Sequence, residues 1–361
     1  MEEVLNRILT LEKKVAYLES SNNSLIQEIN HLKEAKYQTN IDKLLTSINL
    51  YKQTPQQHKY PISSLLELLD GKIVLGCGGG AMSLNQINYE TKEWKIIAQF
   101  NNAHNGPITC LCELNDKRVI SSSYDKFIKI WNISSTSGIL LIQTLTQHKE
   151  GVLKLLTLTC NRFASCSYND GEVKLWDNET YQQIPTPFEQ QVCPTSLLQL
   201  NKQREVLVIS SCPQTNPSLR FYQLQQPFNL IGIVENVCTT HKQGLIELTN
   251  GHVAASRHEP NHIYIIDPQT YRLVTTIMDS QYIPIGGPLY GCGNDSFIYV
   301  PYSGKYLCQI SMINGEYKIS FKAKEDENSL KGNCMSMINN GKYIISSNNY
   351  GGCSIFNYSY V

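Results

Sequence analysis

A repeat with a period of 44 to 46 residues organises most of this chain. His58, His104 and His148 lie 46 and 44 positions apart, and His241 follows 93 positions later, close to two further periods. Between these histidines, apolar and polar residues alternate in short runs that Gly, Asn, Asp and Pro interrupt. The alternation predicts short antiparallel strands, and no long helical pattern occurs after residue 58. The period therefore predicts a fold built from one recurring unit of a few strands.

Two stretches carry this repeat most clearly. They are AHNGPITCLCELNDKRVISSSYDKFIKIWN at 103–132 and QHKEGVLKLLTLTCNRFASCSYNDGEVKLWD at 147–177. Each has a His near its start, a Ser-rich strand, an Asp in a predicted tight turn and a Trp six positions after that Asp. The residues that share this pattern are His104, Asp125, Trp131, His148, Asp170 and Trp176. The pattern resembles the WD40 repeat family, whose repeats form the four-stranded blades of a β-propeller.

The resemblance implies a structural role for these six residues. In the WD40 family, the His, a strand Ser, the Asp and the Trp form a hydrogen-bond chain within a blade. Ser121–Ser123 would supply the Ser in the first stretch, and Ser165 or Ser167 would supply it in the second. Such a chain is physically reasonable, because a buried indole N–H and a buried imidazole both need partners.

Five weaker units bring the predicted number of blades to seven. They keep the strand alternation but lose most signature residues, and they lie at 65–88, 195–224, 245–267, 286–310 and 334–357. Phe221 and Phe356 stand near the Trp position in two of them. The predicted fold class is all-β, a seven-bladed WD40-like β-propeller.

The last unit is expected to lack its own outer strand, because the chain ends shortly after its third strand. Residues 48–54 precede QQHK in the same way that the predicted outer strand 139–145 precedes TQHK. We therefore predict that 48–54 completes the last blade, so that the propeller spans 48–361. Such closure removes an open sheet edge, which would otherwise favour aggregation.

A heptad repeat of apolar residues occupies positions 1–35. Leu fills every d position after the first, most a positions are β-branched, and Asn22 is the polar a residue. This combination favours a parallel two-stranded coiled coil ahead of the propeller. The predicted seam residues are Ile8, Leu11, Val15, Leu18, Asn22, Leu25, Ile29 and Leu32.

The charges that flank this seam favour self-association. Three g–e′ pairs of a parallel homodimer would join opposite charges, and they are Arg7–Glu12, Lys14–Glu19 and Glu28–Lys33. We predict that 1–40 forms a homodimeric α-helical coiled coil and that 41–47 forms a linker. The alternative is a long helix packed on its own domain.

Composition excludes several classes of function. Lys plus Arg and Asp plus Glu both number 31, so the net charge is zero, which argues against direct nucleic-acid binding. No apolar run reaches the ~18–20 residues of a membrane span, and the N-terminus does not resemble a signal peptide. The 12 Cys show no C-x-x-C spacing, so we expect reduced thiols that fill buried strands in a cytoplasmic protein.

Motifs that would indicate chemistry are weak. The GCGGG stretch at 76–80 lies between two predicted strands, so a hairpin turn is favoured over a phosphate-binding loop. His252, His258 and His262 fall near Glu259, but no second half of a tetrahedral metal site is evident. We expect no cofactor and no enzyme activity. A catalytic propeller is the alternative from another class of function.

The predicted function is a non-enzymatic protein-interaction scaffold or adaptor. It would dimerise through the coiled coil and bind other proteins of a multiprotein complex through loops on the propeller faces. The candidate loop residues are Asn105, Pro107, Lys149, Glu150, Lys242 and Gln243. Cytoskeletal and ciliary assemblies would both suit this architecture.

Two further alternatives come from related proteins. A helix followed directly by seven blades resembles the G-protein β subunit, whose helix pairs with a small γ subunit in GTPase signalling. A substrate receptor of a ubiquitin ligase is the other, although NETY follows Trp176-Asp177 where some such receptors have an Arg.

Overall fold

The computed structural model describes the chain from Leu45 to Tyr360, with gaps. The residues left out of this range are 55, 135–137, 160, 168–170, 189–192, 204, 214–215, 240–243, 258–261, 279–287, 294, 300–305, 325–333, 340–341 and 348–351. The predicted coiled coil with its seam therefore lies outside the described residues, as do Asp170, Lys242 and Gln243. The described part belongs to one compact unit, Leu44–Val361.

Twenty-eight strands occur among the described residues. The first is β1 (Leu45–Gln53). Blade 1 contains β2 (Ile62–Glu67), β3 (Ile73–Cys77), β4 (Met82–Asn88) and β5 (Glu93–Phe100). Blade 2 contains β6 (Ile108–Glu113), β7 (Val119–Ser123), β8 (Ile128–Ser134) and β9 (Gly138–Leu145). Blade 3 contains β10 (Val152–Leu158), β11 (Arg162–Ser167), β12 (Val173–Asp177) and β13 (Gln183–Ile184). Blades 4 and 5 contain β14 (Pro194–Gln199), β15 (Val206–Ser211), β16 (Ser218–Gln223), β17 (Leu230–Glu235); and β18 (Leu245–Glu247), β19 (Val253–Arg257), β20 (His262–Asp267), β21 (Arg272–Met278). Blades 6 and 7 contain β22 (Leu289–Gly293), β23 (Ser296–Tyr299), β24 (Tyr306–Ile313), β25 (Glu316–Lys324); and β26 (Met335–Ile338), β27 (Tyr343–Ser347), β28 (Cys353–Tyr360).

These strands form seven four-stranded antiparallel sheets, which confirms the prediction of an all-β seven-bladed propeller. In blades 1 to 6 the four strands pair in sequence order, from the innermost to the outermost. The innermost strands of successive blades contact each other from β2 through β6, β10, β14 and β18 to β22, and β26 contacts β2. No helix among the described residues has the length and apolarity needed to cross a membrane.

The core lies between the blades, and β3 shows how the sequence builds it. All five residues of β3 are buried. Successive side chains of a strand point to opposite faces of the sheet. Ile73 and Leu75 accordingly pack with blade 7, whereas Val74 packs with blade 2. A strand buried on both faces has a continuous apolar sequence, which explains why period-2 alternation is weak here.

The last blade takes its outer strand from the other end of the described chain. β1 pairs antiparallel with β28, from Leu45 opposite Tyr360 to Gln53 opposite Ser354. The strand begins at Leu45, so residues 45–47, which we assigned to a linker, are part of it. The sheet order is therefore β1, β28, β27, β26.

A recurrent hydrogen bond joins neighbouring blades at the end of their innermost strands. The side chain of the last residue of an innermost strand accepts a hydrogen bond from a backbone N–H of the preceding blade. That N–H lies in the turn that follows the preceding blade's own innermost strand. The bonds run from Leu69 N to Glu113 Oε2 (2.8 Å), from Asn339 N to Glu67 Oε1 (2.7 Å), from Thr159 N to Gln199 Oε1 (2.9 Å) and from Lys202 N to Glu247 Oε1 (3.2 Å). Each satisfies a turn donor that the sheet ladder leaves unused.

Candidate protein-interaction face

Blade 2 contains a continuous hydrogen-bond chain beneath one end of the propeller. His104 precedes β6, and its Nε2 lies 2.7 Å from Ser121 Oγ on β7. Trp131 on β8 donates its Nε1–H to the same oxygen at 2.7 Å. On the other side of the imidazole, Nδ1 lies 2.9 Å from Asp125 Oδ2 in the β7–β8 turn. Four side chains from one blade thus satisfy one another.

This hydrogen-bond chain determines which nitrogen of the His104 imidazole carries the proton. Burial holds the pKa of His104 below its ordinary value, although Asp125 opposes this, so the ring is neutral at pH 7. The carboxylate can only accept, so Nδ1–H donates to Asp125 and Ser121 O–H donates to Nε2. Burial alone would raise the pKa of Asp125, but hydrogen bonds from His104 and from backbone N–H groups lower it. Asp125 also accepts from Asn105 N at 2.9 Å, which anchors the loop above it.

Blade 3 repeats most of this arrangement. His148 Nε2 and Trp176 Nε1 lie 2.7 and 2.8 Å from Ser165 Oγ. The equivalent acid, Asp170, is outside the described residues. Glu172 lies nearby, with one carboxylate oxygen 3.9 Å from His148 Nδ1 and 2.8 Å from Lys174 Nζ.

Blade 1 has a substitute for the chain that the sequence analysis missed. His58 Nε2 lies 3.0 Å from Ser83 Oγ, and Asn85 Nδ2 donates to that oxygen at 3.0 Å. Asn85 pairs with the first residue of β3, as Trp131 pairs with the first residue of β7. The amide therefore replaces the indole, and the Ser has moved from the second strand to the third. The spacing of 46 positions between His58 and His104 was the one signal in the sequence that pointed to this arrangement.

The loops above these histidines form a surface that we call the signature face. It comprises residues 58–61, 78–81, 103–107, 124–127 and 148–151. The GCGGG stretch supplies the β3–β4 turn of this face, where Gly80 packs against the backbone of His104 so closely that a Cβ would lie 2.0 Å from the carbonyl oxygen. Asn105 and Lys149, two of the candidate loop residues, are exposed here, while Pro107 and Glu150 are partly buried.

Two exposed tyrosines dominate the signature face. Tyr124 is 56% exposed and Tyr60 is 49% exposed, the highest exposures of any described aromatic residue. Each ring lies over a glycine: a Cβ on Gly151 would meet Tyr124 Cδ1 at 2.7 Å, and one on Gly79 would meet Tyr60 Cδ2 at 2.2 Å. Sequence reasoning did not select these tyrosines, because the chain has 21 of them and exposure depends on the fold.

Paired charges occupy the same face as Tyr124. Lys126 Nζ lies 3.2 Å from Glu150 Oε1, which connects the β7–β8 turn of blade 2 to the loop that enters blade 3. Lys149 Nζ lies 3.7 Å from Glu172 Oε1 and its side chain is 79% exposed. An exposed aromatic ring with a rim of solvated ion pairs is the composition expected of a protein-binding surface.

The structure places the remaining candidates apart. His252 directly precedes β19, and His262 pairs with Arg257 at the far end of that strand, about 17 Å away at the rise of a β-strand. His258 and Glu259 lie outside the described residues. Among the residues with described positions, no group of three or more His, Cys, Asp or Glu is arranged to hold a metal ion.

One cleft lies on the opposite face, between the turns of blades 4 and 5. Its volume is about 290 Å³, and Glu247 and Asp267 provide its carboxylates. Glu247 already accepts from the backbone N–H groups of Asn201 and Lys202, and Asp267 accepts from Gln269 N and Thr270 Oγ1. The acidic groups are therefore engaged in holding turns.

Comparison with known proteins agrees with this geometry. The family model described as WD domain, G-beta repeat, matches residues 94–132 and 140–177. A WD repeat domain-containing protein 83 homolog from Dictyostelium discoideum is 26% identical over 102 residues, which cover 28% of this chain and 30% of the relative. The matched region thus spans less than a third of that protein. The chain contains WD40 repeats within a seven-bladed propeller.

The matched repeats are offset from the blades. Residues 94–132 begin on β5, the outer strand of blade 1, and end on β8, the third strand of blade 2. Residues 140–177 likewise run from β9 to β12. Each sequence repeat thus contains the outer strand of one blade and the three inner strands of the next. The last blade must therefore take its outer strand from the start of the propeller, and β1 is that strand in blade 7.

Proposed function

We propose that this WD40-repeat propeller is a non-enzymatic protein-interaction scaffold that binds a partner on its signature face. We further propose that residues 1–40 form a homodimeric coiled coil, so that one assembly presents two such faces. Its proposed setting is a multiprotein complex in the cytoplasm. Two linked sites gain ~10²–10⁴ in avidity when both can engage the same target.

The exposure of Tyr124 is the observation that carries the binding proposal. A ring that is more than half exposed offers apolar area to a partner, and its hydroxyl offers a hydrogen bond at little cost in conformational entropy. The ring is confined by Gly151 on one side. A pre-positioned aromatic side chain loses less freedom on binding than a mobile one.

The rigid base of the signature face supports the same proposal. The chain from Trp131 through Ser121 and His104 to Asp125 ends on the backbone of Asn105. Binding loops are commonly held in this way by a rigid scaffold. Trp131, Ser121 and His104 are buried and the Asp125 side chain is only 7% exposed, so their proposed role is to position the loops and not to contact a partner.

The binding proposal is tested by quantitative affinity purification from the native cell. Proteins that co-purify with the full-length chain are compared with those recovered by Tyr124→Ala and by Leu69→Ala. Leu69 is 63% exposed but lies in the β2–β3 turn on the opposite face, so it is the matched control. A specific partner should fall at least about tenfold with Tyr124→Ala, as for a hot-spot residue, and remain with Leu69→Ala. Equal recovery of the partner by both variants would show that the signature face is not the binding surface.

The dimer proposal is tested by mass measurement in solution. A homodimer has twice the chain mass of 40.9 kDa, and deletion of residues 1–40 should return the protein to a monomer. That deletion retains β1, which begins at Leu45, so blade 7 stays complete. A full-length monomer would contradict self-association. We do not propose a G-protein β-like role, because no contact among the described residues favours it.

A further inference from the structure

Two cysteine sulfurs meet at the edge of blade 4. Cys212 directly follows β15, and Cys238 lies in the segment between β17 and β18. Their Sγ atoms are 2.7 Å apart although 26 positions separate them in sequence, and both residues are free cysteines. A disulfide bond is ~2.05 Å long, so the two thiols are close to bonding distance.

The backbone on both sides of this pair is fixed. Cys212 N donates to Cys193 O at 3.0 Å, which places the start of the β15–β16 loop against the beginning of blade 4. Thr239, next to Cys238, donates its backbone N–H to Ser210 Oγ at 2.9 Å and accepts from Thr195 Oγ1 at 2.5 Å. The short sulfur–sulfur distance is thus supported by hydrogen bonds from three neighbouring segments.

Another close pair of cysteines, Cys110 and Cys112 on β6, also combines a buried and a partly buried residue. Their sulfur atoms point to the carbonyl oxygen of Leu155, and the hydrogen bond with Cys110, together with burial, raises the pKa of Cys112. In the 212–238 pair, Cys212 is partly buried and Cys238 is buried, so Cys212 is the more accessible of the two residues.

Charge around the two sulfurs divides their roles. The hydrogen bond from Cys238, helped by the Arg257 guanidinium and opposed by burial, lowers the pKa of the Cys212 thiol to about 7. The same hydrogen bond and burial raise the pKa of Cys238. Cys212 is then partly ionised at neutral pH, and Cys238 keeps its proton. A thiolate is the nucleophilic form of cysteine.

We propose that Cys212 and Cys238 are a redox modification site that forms a reversible disulfide on reaction with hydrogen peroxide. The Cys212 thiolate attacks one peroxide oxygen, the O–O bond breaks, and the departing hydroxide is protonated to water. Cys212 is then a sulfenic acid. The sulfur of Cys238 attacks the Cys212 sulfur, the S–O bond breaks, and the hydroxyl leaves with the Cys238 proton as a second water. Two thiols and one peroxide give one disulfide and two waters.

The bond would fasten the segment that leads into blade 5 to the end of β15. Cys238 stands four positions before Lys242 and five before Gln243, which the sequence analysis selected as loop residues for partner binding. Oxidation therefore constrains the chain directly ahead of that candidate loop.

Peptide mapping of the full-length protein tests the proposal. Reduced protein is treated with one equivalent of hydrogen peroxide at neutral pH, its remaining thiols are alkylated under denaturing conditions, and it is digested with trypsin. Cleavage after Arg204, Arg220 and Lys242 puts the two cysteines in separate peptides, 205–220 and 221–242. The expected product is these two peptides joined, and dithiothreitol should separate them. Absence of the joined peptides in oxidised wild-type protein overturns the proposal without reference to any variant.

Three variants then assign the roles. Cys238→Ser should trap the sulfenic acid on Cys212, which dimedone labels, and Cys212→Ser should lower the rate of reaction with peroxide about tenfold, as expected for loss of the more ionised thiol. Cys193→Ser removes another partly buried thiol of the same blade and should leave the joined peptides unchanged. Dimedone labelling of Cys193, Cys110 or Cys112 at the same rate as Cys212 would refute a selective site.

Discussion

Thr54 and Cys353 are 299 positions apart in the chain and form two hydrogen bonds with each other. Thr54 N donates to Cys353 O at 2.8 Å, and Cys353 N donates to Thr54 Oγ1 at 2.7 Å. Both residues are buried. The pair lies where β1 ends and β28 begins, so it closes the sheet of blade 7 between the two ends of the described chain.

Thr54→Ala should destabilise the propeller by about 1–3 kcal/mol. The substitution leaves the buried N–H of Cys353 without its acceptor, and an unsatisfied buried donor costs about that much. Thr54→Ser keeps the hydroxyl and should lose much less. Urea unfolding with a constant m-value measures the difference. Equal midpoints for the Ala and Ser variants would show that the hydroxyl contributes nothing to closure.

Removal of residues 1–53 should cause aggregation, whereas removal of 1–40 should not. The longer deletion takes away β1 and leaves β28 as an unpaired edge of eight residues. Such an edge offers free N–H and C=O groups to another chain. Light scattering at matched concentration follows the outcome. A longer deletion that stays soluble and keeps the thermal midpoint of the shorter one would contradict the role of β1.

Ser121→Ala should destabilise the protein by about 2–4 kcal/mol, because its hydroxyl serves two buried groups. The variant leaves both Trp131 Nε1 and His104 Nε2 without their partner. A double-mutant cycle with Trp131→Phe isolates the Ser–Trp bond and should give a coupling of about 0.5–3 kcal/mol. Additive effects in this cycle would mean that the two side chains do not cooperate.

Stability should fall as the pH drops from about 7.5 to about 5.5. Burial lowers the pKa of His58 and of His104 in the folded state. Below the unfolded value of ~6.5, the unfolded chain therefore binds more protons than the native one, and each such His adds at most ~1.4 kcal/mol per pH unit. His104→Asn should reduce the slope. A urea midpoint that is flat across this range would contradict the neutral state of both rings.

A second loss of stability is expected at more acidic pH. The folded-state pKa of Asp125 is lowered, so its contribution is complete above the unfolded value of ~3.9 and disappears as the pH falls through the folded one. Asp125→Asn should reduce this acidic loss of stability but leave the loss between pH 7.5 and 5.5, and other carboxyl groups with lowered pKa values, such as Asp116, account for what remains. Unfolding titrations between about pH 5 and pH 2 would detect it.

Glu113→Ala should cost about 1–2 kcal/mol by breaking the bond to Leu69 N between blades 1 and 2. Glu113→Gln should cost less, since Gln199 performs the equivalent task between blades 3 and 4 as a neutral amide. Glu93→Ala is the matched control, because Glu93 is exposed on an outer strand, and its effect should stay within about 0.5 kcal/mol. Equal losses for Glu113→Ala and Glu93→Ala would refute the inter-blade bond.

Local pattern was enough to predict the propeller. His104, Ser121, Asp125 and Trp131 lie within one blade, so their spacing records a contact between neighbouring strands. The segment that pairs with β28 was also found from sequence, because it occupies the place of an outer strand in the repeat. Its boundary was set three residues late, since nothing in the sequence marks where a strand joins the segment ahead of it.

Contacts made by residues outside the repeat signature could not be predicted from that pattern. Ser83 and Asn85 form the buried hydrogen-bond chain of blade 1, although neither is a signature residue of the repeat. Tyr124 is distinguished from the other tyrosines by its exposure, which depends on the fold. The sequence by itself determined the strand period, the number of blades and the signature residues, because these depend on interactions within about 45 residues. Only the tertiary structure decided that Cys212 meets Cys238, because neither residue belongs to the repeat signature and the folding of blade 4 brings the segments that carry them together.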